Sequence, residues 1–430
     1  MNLINLFFEN KGSKQTILKN SFWLILSEFF TKGISFLVFV WLARHFGVEV
    51  YGQWVFALSF VMVFSILADF GFGTLTIREV ARDKSKSVQY IDNILAMKLI
   101  LGLATIVLTA VTIQFLGKEA EVVKLVYILS FYVIIDTFNV FFQSIFRANE
   151  KMQYVTFCRI IQGLSLVGLI AFFILIEGSI FTISYAYVLA TLIEILFCLI
   201  FIWRYFSRFF LKVNLEVCKE IIKKVQPFFL SSVFFVIYFK INSIMLGIFS
   251  TIEEVSYYNI AFNLYAAVFI LPEIISASFF PRLSYFYKRD NPELKKTFKN
   301  FKLILGVITL PLGLVLFLFS GPLISIIYPE EFSNSIIILK IFSLIILFRF
   351  LTYAYGWFLT SADEQGRKVK IMGFCALLNI ILNYFLIIKY NALGAVIATF
   401  ITELVLLALY YIYSKRKLRI IYEKEYTSSY

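Results

Sequence analysis

Long apolar runs alternate along the chain with short polar segments, and the runs have the length of membrane crossings. A hydrocarbon layer of ~30 Å takes about 20 apolar residues per helical crossing. By that ruler the first half holds runs at roughly 21–43, 51–70, 91–114, 122–146, 154–176 and 180–203. The second half holds them at roughly 226–249, 256–279, 301–320, 335–360, 369–388 and 392–413. The pattern predicts an all-α polytopic membrane protein of about twelve transmembrane helices. It divides into an N-terminal six-helix bundle over 1–203, a basic linker over 204–225, a C-terminal six-helix bundle over 226–413 and a basic tail over 414–430. The first apolar run is too long for a signal-peptide core and has no Ala-x-Ala site, so it is expected to stay as the first crossing.

The polar segments alternate in charge content. Bases fill every second one: Lys11, Lys14 and Lys19, then Arg78, Arg82, Lys84 and Lys86, then Arg147, Lys151 and Arg159. The linker adds Arg204, Arg208, Lys212, Lys219, Lys223 and Lys224. The second half continues with Arg282, Lys288, Arg289, Lys295, Lys296, Lys299 and Lys302, then Arg367, Lys368 and Lys370. The tail carries Lys415, Arg416, Lys417, Arg419 and Lys424. The intervening loops hold only Arg44, Lys118, Lys124 and Lys389. The positive-inside rule then places both termini of this multi-pass protein in the cytoplasm. All the outer loops are short, which argues against a membrane enzyme with an external active site.

Composition agrees. Of 430 residues, 60% are hydrophobic, 16% are charged and 51 are Phe, against roughly 45–50% apolar and about 25% charged in a soluble domain. That excludes a soluble enzyme, a nucleic-acid binder and a disulfide scaffold. The net charge of +13 belongs to the loop asymmetry, with contact to anionic membrane lipids as its by-product and no nucleic-acid partner. Cys158, Cys198, Cys218 and Cys375 are far apart and form no CxxC, so neither disulfides nor structural zinc are expected. His45 is the only histidine, which leaves acid–base catalysis without its commonest side chain. No cofactor or metal is expected.

The halves repeat at an offset of 204 residues. Tyr51-Gly-Gln-Trp54-Val-Phe-Ala57 falls on Val255-Ser-Tyr-Tyr258-Asn-Ile-Ala261, Asp69 falls on Glu273, and Arg78 falls on Arg282. With six crossings each, the halves enter from the same side and form a parallel pseudo-repeat about an axis along the membrane normal. Such halves predict a transporter working by alternating access.

Several motifs carry a family resemblance. Ala43-Arg44-His-Phe-Gly47-Val-Glu49-Val-Tyr51-Gly52 is followed by Leu67-Ala68-Asp69-Phe-Gly71-Phe-Gly73 and Ile77-Arg78-Glu79-Val-Ala81-Arg82. The second half has Leu246-Gly247, Tyr257-Tyr258-Asn259 and Phe280-Pro281-Arg282-Leu283-Ser284. In this order they resemble the Wzx-type flippases of O-antigen and capsule repeat units. That group lies in the MATE-like superfamily of multidrug, oligosaccharidyl-lipid and polysaccharide transporters. About twelve spans suits that branch better than the similar lipid II flippases, which usually have fourteen. Where many relatives carry an acid before the Leu-Gly of span 7, this chain has Asn242.

Ionisable residues at span centres are costly and mark candidate sites. They are Glu28 and Lys32 in span 1, Asp136 in span 4, Glu194 in span 6, Lys240 in span 7, Arg349 in span 10 and Glu403 in span 12. Glu28 and Lys32 stand i,i+4. Either they neutralise each other between helices, or Lys32 can exchange Glu28 for a substrate phosphate. Lys240 and Arg349 either meet a phosphate or acidic sugar in a cavity, or pair with Asp136, Glu194 or Glu403 and hold helices together. Lys98, Arg159 and Lys302 are expected to snorkel to the inner surface. Asp69, Arg78, Glu273 and Arg282 stand at matching positions near inner span ends, as a cytoplasmic gate or as simple helix-end anchors. Pro272 removes a backbone bond inside span 8.

The resemblance implies movement of polyprenyl-diphosphate-linked oligosaccharide units from the cytoplasmic to the outer leaflet for surface polysaccharide assembly. It also implies coupling to H+ or Na+ and handover to other assembly proteins. An ion-coupled exporter of small cationic drugs would have the same architecture but an acidic cavity. A polymerase or glycosyltransferase would need nucleotide- or metal-binding carboxylate motifs that are missing here.

Overall fold

Lipid offers the backbone no hydrogen-bond partner, so an apolar run that enters it folds into helix. The computed structural model describes residues 12–206, 211–287 and 289–428, and among them every regular element is helical. Lys11, Arg208 and Lys288, three of the bases assigned to the inner face, lie outside the described residues, as do the side chains of Lys14 and Lys424. In chain order the helices are α1 (Ser13–Asp69), α2 (Phe72–Arg82), α3 (Ser87–Phe115), α4 (Ala120–Ala148), α5 (Met152–Leu175) and α6 (Ile180–Tyr205). There follow α7 (Leu215–Phe249), α8 (Ile252–Ala267), α9 (Ile270–Phe286), α10 (Asn291–Leu318), the short α11 (Ser320–Ile327), α12 (Ser335–Ser361) and α13 (Gln365–Ser428).

Nine apolar stretches among the described residues are long enough to cross a membrane, or ten when the two segments of α7 count as one crossing. Two of the nine, Gln15–Arg82 and Gln365–Arg419, run for 68 and 55 residues, far more than the roughly 20 that one crossing uses. Helices α1 and α13 within them each contain one residue with non-helical backbone, Gly47 (φ 73°, ψ −176°) and Asn391 (φ 51°, ψ −131°). At Asn391 the chain doubles back. A Cβ on Gly394 would lie 2.1 Å from the Leu386 carbonyl oxygen, whereas residues eight apart in a continuous helix are separated by ~12 Å. The expected boundaries between spans 1 and 2 and between spans 11 and 12 fall at these two residues.

Proline explains another break. Pro272 has no N–H to donate to the Val268 carbonyl. Leu271 N donates there instead at 3.3 Å, and the helix interrupts between α8 and α9.

The chain divides into two compact units, Met1–Phe46 with Phe56–Val236 and Gly47–Val55 with Ile237–Tyr430. In the first, Phe72, Leu75, Ile91, Phe141, Ile145 and Ile221 share a core built from α2, α3, α4 and the start of α7. Helix α3 turns Leu99, Leu103 and Val107 outward while Thr105, Thr109 and Ile113 are buried, the helical stripe expected of a lipid-facing surface. Residues 215–225, read from the sequence as linker, form the first turns of α7. Asn214 caps them by accepting from Glu216 N (2.9 Å), and Asn93 of α3 accepts from Asn214 N (2.7 Å). In the second unit, α12 packs on α10, α13 and α8, with Leu359, Ile371, Cys375, Leu406 and Tyr410 in a shared core.

Candidate functional site

Within the first unit, Asp136, Asn139 and Gln143 stand i, i+3, i+7 on α4 and so share one face. That face meets Arg159 and Gln162 of α5 and Glu194 of α6. Glu194 is fully buried. Its Oε1 accepts from Gln143 Nε2 (2.8 Å) and its Oε2 from Asn139 Nδ2 (2.9 Å). Arg159 reaches across two carboxylates, with Nη1 at 3.4 Å from Asp136 Oδ1 and Nε at 3.9 Å from Glu194 Oε1. It also donates to Gln162 Oε1 (3.2 Å) and Gln143 Oε1 (3.3 Å). Beside this cluster lies a cavity of about 80 Å³ lined by Thr31, Ser35, Tyr132, Arg159, Gln162 and Thr191, among others.

Arg159 was expected to snorkel, and it does not. A guanidinium one or two turns from the surface is drawn inward because two carboxylates there need a cation. Lys98 departs from expectation in the same way. It is fully buried, and its Nζ donates to the Ala68 carbonyl at 2.9 Å and lies 5.3 Å from the Phe138 ring.

In the second unit, Arg349 of α12 forms an ion pair with Glu403 of α13, and the Tyr238 hydroxyl of α7 donates to the same carboxylate oxygen. The guanidinium is boxed by the rings of Tyr238, Phe239, Phe269 and Tyr353, at 5.3 to 5.6 Å from their centroids. Arg349 Nε and Glu403 Oε2 have no hydrogen-bond partner among the described residues. One turn along α7 begins a buried network without charge. Asn242 donates to Tyr258 Oη (2.5 Å) and Thr399 Oγ1 (2.8 Å), and Asn383 donates to Asn242 Oδ1 (2.7 Å) and Asn379 Oδ1 (2.8 Å).

Lys240 stands apart from these groups. Only partly exposed at mid-α7, its ammonium has neither a carboxylate within 4.0 Å nor a hydrogen-bond acceptor among the described residues. Glu28 and Lys32 pair at 3.6 Å on α1, with both side chains about half exposed. Of the gate candidates, Asp69 Oδ2 accepts from Gly71 N (3.3 Å), and Arg78 pairs with Glu79 (2.8 Å) over the Phe228 ring (5.0 Å). Glu273 and Arg282 lie exposed on α9, in the other unit.

Sequence reasoning therefore missed Arg159, Lys98 and the asparagine network. A charge balance by half points to the first two. The central charges singled out in the first half are three acids against one base, and the missing cations had to come from residues set aside as surface bases. Of the network only Asn242 was marked, by its departure from the family motif, and its partners Asn379, Asn383 and Thr399 give no signal, because neutral groups in an apolar run are silent in a charge count.

The family model described as "Polysaccharide biosynthesis protein" matches residues 17–287, and the "MatE" model matches residues 227–385. The "Putative O-antigen transporter" of Shigella flexneri is 24% identical over 411 residues, covering 89% of this chain and 94% of that protein. Among solved structures, the lipid II flippase MurJ in an inward closed conformation aligns with a TM-score of 0.75 at 18% identity, over 91% of this chain and 86% of that one. An inward-facing multidrug resistance MATE family transporter aligns with a TM-score of 0.72 at 15% identity, over 94% and 96%. The all-α fold is thus MATE-like.

Proposed function

From the premise that the chain belongs to the polysaccharide biosynthesis protein family, we propose that it is a flippase. Its cargo is a polyprenyl-diphosphate-linked oligosaccharide repeat unit, moved from the cytoplasmic to the outer leaflet of a bacterial plasma membrane by alternating access. No bond is made or broken. The bases of the inner loops hold both termini in the cytoplasm, a gradient of H+ or Na+ gives the cycle its direction, and other assembly proteins receive the unit. The names of the O-antigen transporter and of the flippase that it resembles point the same way.

The observation that carries this reading is Lys240. An ammonium in a membrane-spanning helix costs several kcal/mol when no anion compensates it. Arg159 and Arg349 have carboxylates, and Lys98 has a carbonyl beside Asp69. Lys240 has none of these, and a cargo diphosphate supplies the missing charge. A cavity evolved for small cations would place a carboxylate there.

Complementation tests it. Wild type, Lys240→Ala and Lys240→Arg are expressed in a strain lacking its own unit flippase, with surface polysaccharide as readout and membrane levels checked by blot. Wild type restores polymer, Lys240→Ala abolishes it at normal protein level, and Lys240→Arg keeps part of it. Wild type that restores no polymer but confers resistance to cationic dyes overturns the reading in favour of a drug exporter.

A further inference from the structure

Between Asp69 and Phe72 the helix breaks inside the apolar sequence, with about 16 Å of further helix in α2 beyond it. Phe70 and Gly71 both take left-handed backbone, at φ 49° and 78°. No proline stands between residues 48 and 82, so nothing covalent enforces the interruption. For a bulky residue such as Phe70 the left-handed conformation costs about 1–2 kcal/mol. The break must be held by its surroundings.

The backbone groups released by the break show what holds it. In a continuous helix the Ala68 carbonyl would accept from Phe72 N. Here it accepts from Lys98 Nζ of α3 at 2.9 Å, a cation at the negative end of a half-helix. The Gly71 amide is released on the other side of the break, and Asp69 Oδ2 accepts from it at 3.3 Å. Lys98 and Asp69 also attract each other, and Asp136 is the other charged group facing Lys98. Each released dipole is met by a charge of the opposite sign.

Beyond the break, α2 is fastened to the first turns of α7. The Phe70 and Phe229 rings stack at 4.2 Å, and a Cβ on Gly71 would lie 2.9 Å from Phe228 Cβ. Lys224 Nζ reaches Glu79 Oε2 (3.1 Å) and Tyr90 Oη (3.3 Å).

We propose that Lys98 and Asp69 form a charge clasp holding a reversible hinge at Phe70–Gly71, about which α2 and the first turns of α7 swing as one arm. Phe and Gly are both compatible with right-handed helix. When Lys98 leaves the Ala68 carbonyl, Phe72 N can take its place, the strain at Phe70 is relieved, and α1 runs straight into α2. The chain thus has two packings of one segment, balanced by the clasp on one side and by a healed helix on the other. The inference concerns movement and stands independently of the cargo.

Spin labels at exposed Arg82 of α2 and lipid-facing Leu108 of α3 read the arm's position in the full-length protein in nanodiscs. Lys98→Met is expected to shift the label distance by on the order of one helical turn, ~5 Å. Lys98→Arg, which keeps the donor and the charge, is expected to keep the wild-type distance. Asp69→Asn keeps an oxygen for Gly71 N but loses the charge, and should shift part of the population in the same direction. A folded Lys98→Met protein with the wild-type distance overturns the hinge and leaves Lys98 a passive counter-charge. Should Lys98→Met not fold, Asp69→Asn decides: a second distance supports the clasp, and an unchanged one overturns it.

Discussion

The Ser256 hydroxyl donates to the Val48 carbonyl at 2.5 Å, and its surroundings contain the same relation reversed. A Cβ on Gly52 would lie 2.3 Å from the Ile252 carbonyl oxygen and 2.6 Å from Ser256 Oγ. At the offset of the internal repeat, Gly52 corresponds to Ser256 and Val48 to Ile252. The contact of 256 with 48 therefore becomes the contact of 52 with 252 when the two copies are exchanged. The Tyr-Gly pair of the sequence motif acquires a physical reason here. Gly52 admits a neighbouring backbone, and Tyr51, fully buried, accepts from Asn263 Nδ2 at 3.3 Å.

Gly52→Ala should accordingly be costly for so small a change. The atom it would strike is a backbone oxygen, which cannot rotate away, so the segments around 48–52 and 252–256 must separate. We expect a loss of about 1–3 kcal/mol, as for other overpacked sites, seen as a lowered thermal midpoint in detergent. Ser256→Ala removes one hydrogen bond and should cost ~1 kcal/mol. A Gly52→Ala protein that melts with wild type would mean that these segments do not approach as closely as the structure places them.

The Arg349–Glu403 pair separates a structural role from a cargo role. Removing one partner leaves a buried charge alone, so Arg349→Met or Glu403→Leu singly should cost about 3–5 kcal/mol, while the double change recovers most of it. Thermal unfolding of the four proteins in the cycle measures this. Complementation with the stable double variant then decides. Retained polysaccharide makes the pair a tie between α12 and α13, and lost polysaccharide with normal stability makes Arg349 a group the cargo needs.

How much of this was legible beforehand depended on which physical signal each feature emits. The crossings were legible because lipid imposes a length and a polarity on each one, and Pro272 announced its break because the missing N–H is written in the residue type. The reversal at Asn391 was legible only as a boundary between two apolar runs. Charges at span centres could be found, but their partners could not. Glu194 meets Arg159, from 35 positions away, only because α5 and α6 pack together. Lys98 sits in an apolar crossing near its inner end and reads as a snorkelling base, while the carbonyl it meets is freed by a break 30 residues earlier. The asparagine cluster joins α7, α8 and α13 through neutral groups, which neither hydropathy nor charge counts weigh.

That cluster makes its own prediction. Asn383 is fully buried and donates to two amide oxygens. Asn383→Leu keeps the volume but strands Asn242 Oδ1 and Asn379 Oδ1, at about 1–3 kcal/mol for each buried unsatisfied group. The added apolar area offsets part of this, so a drop in thermal midpoint is expected that Asn383→Gln or Asn383→Ser does not fully restore. A Leu variant more stable than wild type would show that the network is maintained for movement or binding at the expense of stability.

The cluster of Asp136, Arg159 and Glu194 predicts an order of effects. Among the described residues Arg159 is the one cation within ion-pair distance of both acids, so Arg159→Met leaves the buried Glu194 and the partly buried Asp136 without it and should be the most damaging, at about the 3–5 kcal/mol of a broken buried pair. Glu194→Gln should come second. Glu194 is fully enclosed, and a Gln amide can accept from only one of the two neighbours, Asn139 and Gln143, that now donate to its two oxygens. Asp136→Asn should be mildest, because its side chain is 28% exposed and Arg159 keeps Glu194 as a partner. Thermal unfolding of the three single variants in one detergent checks the order. If Asp136→Asn proves worse than Glu194→Gln, the guanidinium belongs principally to Asp136, and Glu194 is held by its amide neighbours alone.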